Sequence, residues 1–309
     1  MQRIVIDTDP GVDDALAIML AYAQPGVKVE AIMSVNGNVS LEHTTANACT
    51  LLDLLNQETP IYPGCSCPLV TTNQEDASCV NGMDGFGNAN FPPSSRKPQS
   101  EHASNALVRL ASASPGELIL VAIGPLTNIA VALKLDPDLP QKIKKLVIMG
   151  GAIHSYGNTS NISTEFNVYS DPEAAHEVFG AWPLLTMVSW ETTMAHRFDS
   201  NLIDKWFTLN TIKSEFFKRT HQHAIQFLTN IYKRKLLFSA DSLTMAVALD
   251  PAIVQKTETH ALLVELQGKY TRGQTTVDWG DVTQKPKNVE IILEVDHARL
   301  IQLIEKTLK

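Results

Sequence analysis

Short apolar runs alternate along this chain with longer segments of helical periodicity. The run at 118–123 is almost wholly apolar, as in a strand buried on both faces of a sheet. This alternation is typical of βαβ units, so we predict an α/β fold with an open, mostly parallel sheet flanked by helices. The predicted strands are residues 3–6, 29–35, 118–123, 146–149 and 184–189, and the predicted helices are residues 13–23, 41–57, 126–135 and one that Asp171-Pro172 opens.

The last part of the chain has a different pattern. Residues 199–238 are polar and helical in periodicity, whereas 260–266 and 289–295 predict two late strands. We expect these two strands to form a hairpin or an edge pair, with the Gly-rich segment 268–288 between them. No repeat and no linker-like composition interrupts the 309 residues, so we predict one domain over 1–309.

Composition excludes several classes of protein. The 25 Lys and Arg against 33 Asp and Glu give a net charge of −8, which argues against non-specific nucleic-acid binding. Asp7 and Asp9 interrupt the first apolar run, so the start lacks the pattern of a secretory signal. No run reaches the roughly 18 apolar residues of a membrane helix. We therefore expect a cytoplasmic protein without a nucleic-acid or membrane partner.

Four aspartates follow the first predicted strand in the segment IDTDPGVDDA, residues 6–15. Asp7 and Asp9 project to one side of an extended chain, while Asp13 and Asp14 begin the next helix, where free N–H groups favour negative charge. Converging carboxylates repel one another unless some are protonated or a cation lies between them. The alternative to a metal site is a solvated N-cap cluster. Because oxygen ligands suit hard divalent cations, the segment predicts a metal site.

Two later segments carry polar residues that suit the same edge of the sheet. Asp241 precedes an apolar helix, where it either caps that helix or projects into the shared site. Glu165 and Asn167 are two positions apart, with Asn158 and Asn161 before them. Such donors and acceptors suit a polyhydroxy ligand such as a sugar, although they also satisfy loop backbones.

Taken together, these motifs resemble those of the nucleoside hydrolases, the inosine/uridine-preferring ribonucleoside hydrolases. They occur in the family's order over nearly the whole chain. The resemblance implies a Rossmann-like nucleoside hydrolase fold and Ca²⁺-dependent hydrolysis of the N-glycosidic bond of ribonucleosides, giving ribose and a free base. The matching segments are IDTDPGVDDALAI (6–18), SVNGN (34–38), AIGPLTNIAVAL (122–133), VIMGGA (147–152), EFNVYSDPEAA (165–175) and DSLTMAVALDP (241–251).

The resemblance also implies roles for individual residues. Asp9 would bind Ca²⁺ and act as the base that takes a proton from the attacking water. Asp14, Asp241 and the main-chain carbonyl of Ile123 would be further metal ligands, and Asp7 would support the site. The family's usual assembly implies a homodimer or homotetramer. The implied ribose contacts are polar side chains from separate segments: Asp13, Asn38, Asn158, Glu165 and Asn167.

The sequence departs from the family pattern at three positions. Thr159 stands where the family has an asparagine, so Asn158 or Asn161 is expected to take that role. Many members have a histidine directly before the late aspartate, where this chain has Ala240, and others have one before a Gly-rich turn, where it has Asn81. The proton donor to the leaving base is therefore expected to be another group, or stacking replaces it.

Two other functions remain open from the residues alone. An Asp-x-Asp segment after a strand also suits the aspartyl-phosphate nucleophile of a phosphatase or phosphotransferase. That class needs a lysine near a strand end, whereas Lys144 and Lys145 precede a strand. A non-catalytic protein that binds ribosides is the second alternative, because both histidines are missing.

Overall fold

The apolar runs of the sequence form strands in the computed structural model, which describes residues 1–70, 75 and 77–309. Within these residues the strands are β1 (Gln2–Thr8), β2 (Val27–Ser34), β3 (Ile61–Pro63), β4 (Leu118–Ala122), β5 (Lys145–Met149), β6 (Leu185–Val188), β7 (Phe198–Asp199), β8 (Leu236–Leu237), β9 (Val254–His260), β10 (Leu262–Val264), β11 (Thr275–Val277) and β12 (Val289–Val295).

The segments of helical periodicity form the helices. Within the same described residues these are α1 (Val12–Ala23), α2 (Leu41–Leu54), α3 (Ser78–Asn81), α4 (Ala103–Ala113), α5 (Thr127–Leu135), α6 (Leu139–Lys142), α7 (Phe166–Ser170), α8 (Pro172–Ala181), α9 (Trp190–Ala195), α10 (Ser200–Phe207), α11 (Ile212–Tyr232), α12 (Ala240–Leu249) and α13 (His297–Leu308).

Eight strands form the central sheet, in the order β3-β2-β1-β4-β5-β6-β12-β9. All neighbours are parallel except β12 and β9. Strands are added in one direction from β1 to β3 and in the other from β4 to β6. The order therefore reverses between β1 and β4, and in open α/β sheets ligands bind beyond the carboxyl ends of the strands at such a reversal.

Alternating residues of β1 enter the two cores that cover the faces of the sheet. Ile4 and Ile6 pack with apolar side chains of α1, α12 and α13, whereas Val5 packs with those of α4, α5 and α8. All three side chains are fully buried. Because both faces of β1 are covered, its end is held firmly, and the turn that follows it starts from a fixed position.

The predicted α/β fold with an open, mostly parallel sheet flanked by helices is confirmed. Helix α2 ends at Leu54, earlier than predicted, and the chain has left the helical conformation by Asn56, whose φ is 51°. In the described part of the chain, no helix combines the length and apolar character needed to cross a bilayer.

The predicted pairing of the two late strands is wrong. Strand β12 lies inside the sheet, parallel to β6, and its antiparallel partner is β9 at 254–260. Residues 262–264 pair instead with 275–277, inside the segment that we expected to be a connection. Periodicity identifies a strand but not its partner, because pairing depends on which apolar face is left to be covered.

The interior position of β12 leads to a prediction about stability. Ile291 is fully buried between β6 and β9, so Ile291→Ala should lower the free energy of unfolding by about 2–5 kcal/mol. The matched control is Glu294→Ala in the same strand, which is exposed and should change it by less than about 0.5 kcal/mol. Urea unfolding of the three proteins measures both effects, and equal stabilities of the two variants would contradict this account of β12.

Candidate active site

The ends of β1 and β4 open into a cavity of about 560 Å³. Segments distant in sequence meet there because their strands end at the same edge of the sheet. Of the residues predicted for the site, seven line the cavity, whereas Asp7, Asp9 and Asp14 are buried and do not line it. The seven are Asp13, Asn38, Ile123, Asn158, Glu165, Asn167 and Asp241.

The Asp14 carboxylate is fully buried in the first turn of α1 and accepts four hydrogen bonds. One oxygen accepts from Thr8 Oγ1 at 2.5 Å and from the Asp9 N–H at 3.3 Å. The other accepts from the Gly11 N–H at 3.0 Å and from Asn38 Nδ2 at 3.1 Å. Burial raises the pKa of Asp14, and these donors oppose that rise by favouring the charged form.

Asp9 has one bonded and one free oxygen. Oδ2 accepts the Asn38 N–H at 2.7 Å, whereas Oδ1 is buried without a hydrogen-bond partner among the described residues. Burial, together with the nearby charge of Asp14, raises the pKa of Asp9 well above its ordinary value. A buried carboxylate oxygen without a partner is suited to bind a water, a hydroxyl group or a cation.

Two glycines allow the backbone to approach the Asp9 carboxylate. A Cβ at Gly37 would lie 2.0 Å from Asp9 Oδ2, and a Cβ at Gly124 would lie 2.7 Å from Oδ1. Both distances are shorter than any real contact of such atoms, so larger residues do not fit without movement. The glycines of the segments 34–38 and 122–133 therefore hold this carboxylate from two sides.

The first turn of α12 brings Asp241 to the first turn of α1. Asp13 accepts hydrogen bonds from Ser239 Oγ at 2.7 Å and from the Asp241 N–H at 3.0 Å. Burial raises the pKa of Asp13 to about 6. It also raises the pKa of Asp241 well above its ordinary value, with further contributions from the charges of Asp14, Asp13 and Asp9. The N-cap of α12 is Ser239, so Asp241 lies within the first turn of the helix and does not cap it. Asp241 lines the cavity.

Glu165 and Asn167 lie at the start of α7 on another side of the cavity. The Glu165 carboxylate caps this helix by accepting the N–H groups of Asn167 at 2.9 Å and Val168 at 3.3 Å, and it also accepts the Gly151 N–H at 3.0 Å. Burial raises its pKa to about 7. Asn167 Nδ2 donates to the main-chain carbonyl of Ile123 at 3.2 Å, so this carbonyl and the start of α7 lie side by side.

The two asparagines that were alternatives for the ribose contact lie in different surroundings. Asn158 is exposed and lines the cavity. Asn161 donates instead to the Arg272 carbonyl at 2.7 Å and to Thr164 Oγ1 at 3.0 Å. Thr159 is buried, and its hydroxyl donates to the Thr164 carbonyl at 2.9 Å. Asn161 and Thr159 therefore stabilise the loop, while Asn158 is available to a ligand.

Asp7 lies outside the cavity lining and is bonded to the scaffold. It is fully buried, and one oxygen accepts Asn128 Nδ2 at 2.9 Å. The Asn128 Oδ1 in turn accepts the Cys65 N–H at 2.8 Å. Burial raises the pKa of Asp7 to about 7. Its contacts join the end of β1 to the start of α5 and to the segment after β3.

Aromatic side chains that belong to none of the matching segments form part of the cavity wall. Phe238 packs between Trp190 and Tyr232, with ring centroids 5.2 and 5.5 Å apart. His221, on the wall formed by α11, is buried with Nδ1 3.0 Å from the Phe217 carbonyl, and burial lowers its pKa to about 3. Helical spacing of cavity residues along α11 (His221, Ala224, Leu228) is the sequence signal that indicates this wall.

The donors suit a hard cation, although the described residues hold no set of three His, Cys, Asp or Glu side chains arranged around one point. Carboxylates and a main-chain carbonyl are the ligands that Ca²⁺ and Mg²⁺ prefer. Asp9 Oδ1 has no hydrogen-bond partner among the described residues, and burial raises the pKa of Asp9, Asp14 and Asp241, so the surrounding donors do not fully stabilise the charged forms of these carboxyls. The chemistry of the donor set therefore fits a divalent cation.

Comparison with known proteins finds related proteins that match nearly the whole chain. The family model for inosine-uridine preferring nucleoside hydrolases matches residues 4–302. An inosine-uridine preferring nucleoside hydrolase of Leishmania major is 33% identical over 309 residues, covering 98% of this chain and 96% of that protein. A solved plant nucleoside hydrolase has a TM-score of 0.93 at 30% identity, with 99% of this chain and 98% of that chain covered. A solved inosine-guanosine nucleoside hydrolase has a TM-score of 0.92 at 34% identity, with the same coverage.

The shared fold and the matched residues agree with the resemblance that the motifs carry. The match runs from β1 to α13 and includes every segment that lines the crevice. This chain belongs to the family of inosine-uridine preferring nucleoside hydrolases, which are N-ribosyl hydrolases.

Proposed function

We propose that the chain hydrolyses the N-glycosidic bond of ribonucleosides with Ca²⁺ as its cofactor and Asp9 as the base. The observation that supports this most directly is the buried Asp9 carboxylate, whose Oδ1 has no hydrogen-bond partner among the described residues and whose Oδ2 is bonded to Asn38, a residue of the cavity lining. Burial and the nearby charge of Asp14 raise the pKa of Asp9, and a raised pKa makes a carboxylate a stronger base.

The ribose end of the substrate would be held by the polar lining. Asp13 approaches from α1, whereas Glu165 and Asn167 approach from the start of α7, so polar groups reach the cavity from two sides, which suits a ring with several hydroxyl groups. The Nδ2 hydrogens of Asn38 are both donated to Asp9 and Asp14. Asn38 would therefore contact a ribose hydroxyl through a remaining lone pair of Oδ1, as an acceptor.

The base end of the substrate would lie against the apolar and aromatic part of the same cavity. Trp190, Tyr232 and Phe238 line it, and so do Leu228 and Ile231 of α11. Cleavage passes through an oxocarbenium-like state and a departing base that needs a proton or other stabilisation. His221 is neutral over the physiological range because burial lowers its pKa to about 3, so it is no ready proton donor.

The proposed cation site consists of Asp9, Asp14, Asp241 and the Ile123 carbonyl. When bound, the cation supplies Lewis-acid polarisation of water and of the ribose diol. The residues themselves orient that water, accept its proton and exclude bulk solvent. Asp7 would support the site through Asn128. One domain over residues 1–309, a homodimer or homotetramer, and a cytoplasmic location remain proposals from the sequence.

The first test removes the proposed base. Purified protein with Ca²⁺ should release ribose from a panel of purine and pyrimidine ribosides that includes inosine and uridine. Asp9→Asn should lower kcat by about 10²–10⁴-fold, because the amide cannot accept the proton. Asp138→Asn, at an exposed aspartate, is the matched control and should keep full activity. Unchanged turnover of Asp9→Asn, with native circular dichroism, would overturn the assignment of the base.

The second test removes the cation. Dialysis against EGTA should abolish ribose release, and added Ca²⁺ should restore it better than Zn²⁺, because the donors are oxygens. The temperature of unfolding should also fall in EGTA, since a ligand that binds only the folded state stabilises it. Full activity and an unchanged unfolding temperature in EGTA would exclude a resident cation.

The third test concerns protonation of the leaving base. Ala240 lines the cavity beside Asp241, so Ala240→His would add a titratable nitrogen there. If departure of the base limits turnover, kcat should rise by about tenfold or more, within the range of general acid catalysis. Ala240→Leu fills similar space without a proton donor and is the control. Equal kcat values for the two variants would indicate that protonation at this position does not limit the rate.

A further inference from the structure

Asn81 is buried at the end of α3, where it lines the cavity and touches the acidic segment. Its Oδ1 accepts the Val12 N–H at 3.1 Å, and its Nδ2 donates to Asn38 Oδ1 at 2.8 Å. Asn38 Nδ2 then donates to the Asp9 carbonyl and to Asp14 Oδ2, both at 3.1 Å. One row of hydrogen bonds therefore runs from the start of α1 through two amides to the Asp9 main-chain carbonyl and the Asp14 carboxylate.

The orientation of both amides follows from the end of this row. The Val12 N–H only donates, so it requires the oxygen of Asn81 and turns the Asn81 amino group toward Asn38. The Asn81 amino group requires the oxygen of Asn38, which leaves the Asn38 amino group for Asp9 and Asp14. A flip of either amide would place two donors or two acceptors together.

Close packing prevents a side chain from inserting into this row. A Cβ at Gly11 would lie 2.5 Å from Asn81 Oδ1 and 2.8 Å from Asn38 Nδ2. The segment that carries Asn81 is also fixed to α11, since His223 Nε2 lies 3.1 Å from the Ser78 carbonyl. Asn81 therefore lies on a segment that is bonded to α11. Its link to the Asp14 carboxylate runs through the side-chain amide of Asn38.

We propose that Asn81 is a positioning residue of the hydrolase, which fixes the side-chain amide of Asn38 and through it the Asp14 carboxylate and the main chain of Asp9. This inference rests on the proposed function of Asp9. The resemblance implies a proton donor at this position in other family members. Asn81 would have a different role, because its amide oxygen and its amino group each bond to another group of the protein.

The test uses a pair of matched asparagines. Asn81→Leu should lower kcat by roughly 10-fold to 100-fold with a smaller change in KM, because misplaced reacting groups slow the chemical step. Asn47→Leu is the control. Asn47 Nδ2 donates to the carbonyls of Pro10 and Asp84 and so tethers the same segment, without touching Asn38. Asn47→Leu should reduce the unfolding temperature and leave kcat within about threefold of the parent, since its hydrogen bonds go to Pro10 and Asp84 and not to the Asn38 amide.

A double-mutant cycle decides whether Asn81 acts through Asn38. In an Asn38→Ala background, Asn81→Leu should have little further effect on kcat, because its partner is already gone. The same fold-loss in both backgrounds, or an equal kcat loss in Asn47→Leu, would overturn the proposal. If Asn81→Leu does not fold, Asn81→Asp serves instead, since it keeps the acceptor for Val12 but opposes an oxygen to Asn38 Oδ1.

Failure of this inference is distinguishable from failure of the proposed function. A parent protein that releases no ribose from any riboside with Ca²⁺ present would contradict the proposed function itself. A parent that is active and an Asn81→Leu variant with unchanged kcat would contradict only the positioning role.

Discussion

Buried negative charge at the start of α1 is the constraint on which the site depends. Asp14 is fully buried, and it is tolerable there because Thr8, two backbone N–H groups and Asn38 all donate to it. The neighbouring Asp9 carboxylate accepts fewer hydrogen bonds, and its Oδ1 has no partner in the described part of the chain. The segments around Asp9 and Asp14 must therefore place hydrogen-bond donors and glycines at fixed positions. This placement requires a rigid sheet edge.

The doubly wound sheet supplies that edge. Strands β1 and β4 are neighbours although their residues are more than a hundred positions apart, so the Ile123 carbonyl and the turn after β1 meet without a long loop. Helices α1 and α12 pack together on one face, which places Asp241 beside Asp13. Several of the 33 acidic residues of the chain are therefore concentrated at one edge of the sheet.

The two positions at which the motif comparison expects a histidine have different surroundings. Ala240 lines the cavity without a polar side chain, whereas the amide of Asn81 bonds through its oxygen to the Val12 N–H and through its amino group to Asn38. Asn81 is therefore joined to the Asn38 amide, which in turn donates to the Asp14 carboxylate. The aromatic side chains around Phe238 form another part of the wall of the same cavity.

The sequence alone determined the fold class, most of the strands of the sheet, the acidic segment and the family. These follow from local patterns: apolar runs report burial on both faces of a strand, and Asp-x-Asp after a strand reports a charged edge. Only the tertiary structure decided the partner of β12, the choice between Asn158 and Asn161 at the cavity, and the hydrogen bonds that orient Asn38. Those features depend on contacts between segments that are distant in sequence. Local residue spacing does not specify which strands and loops come into contact.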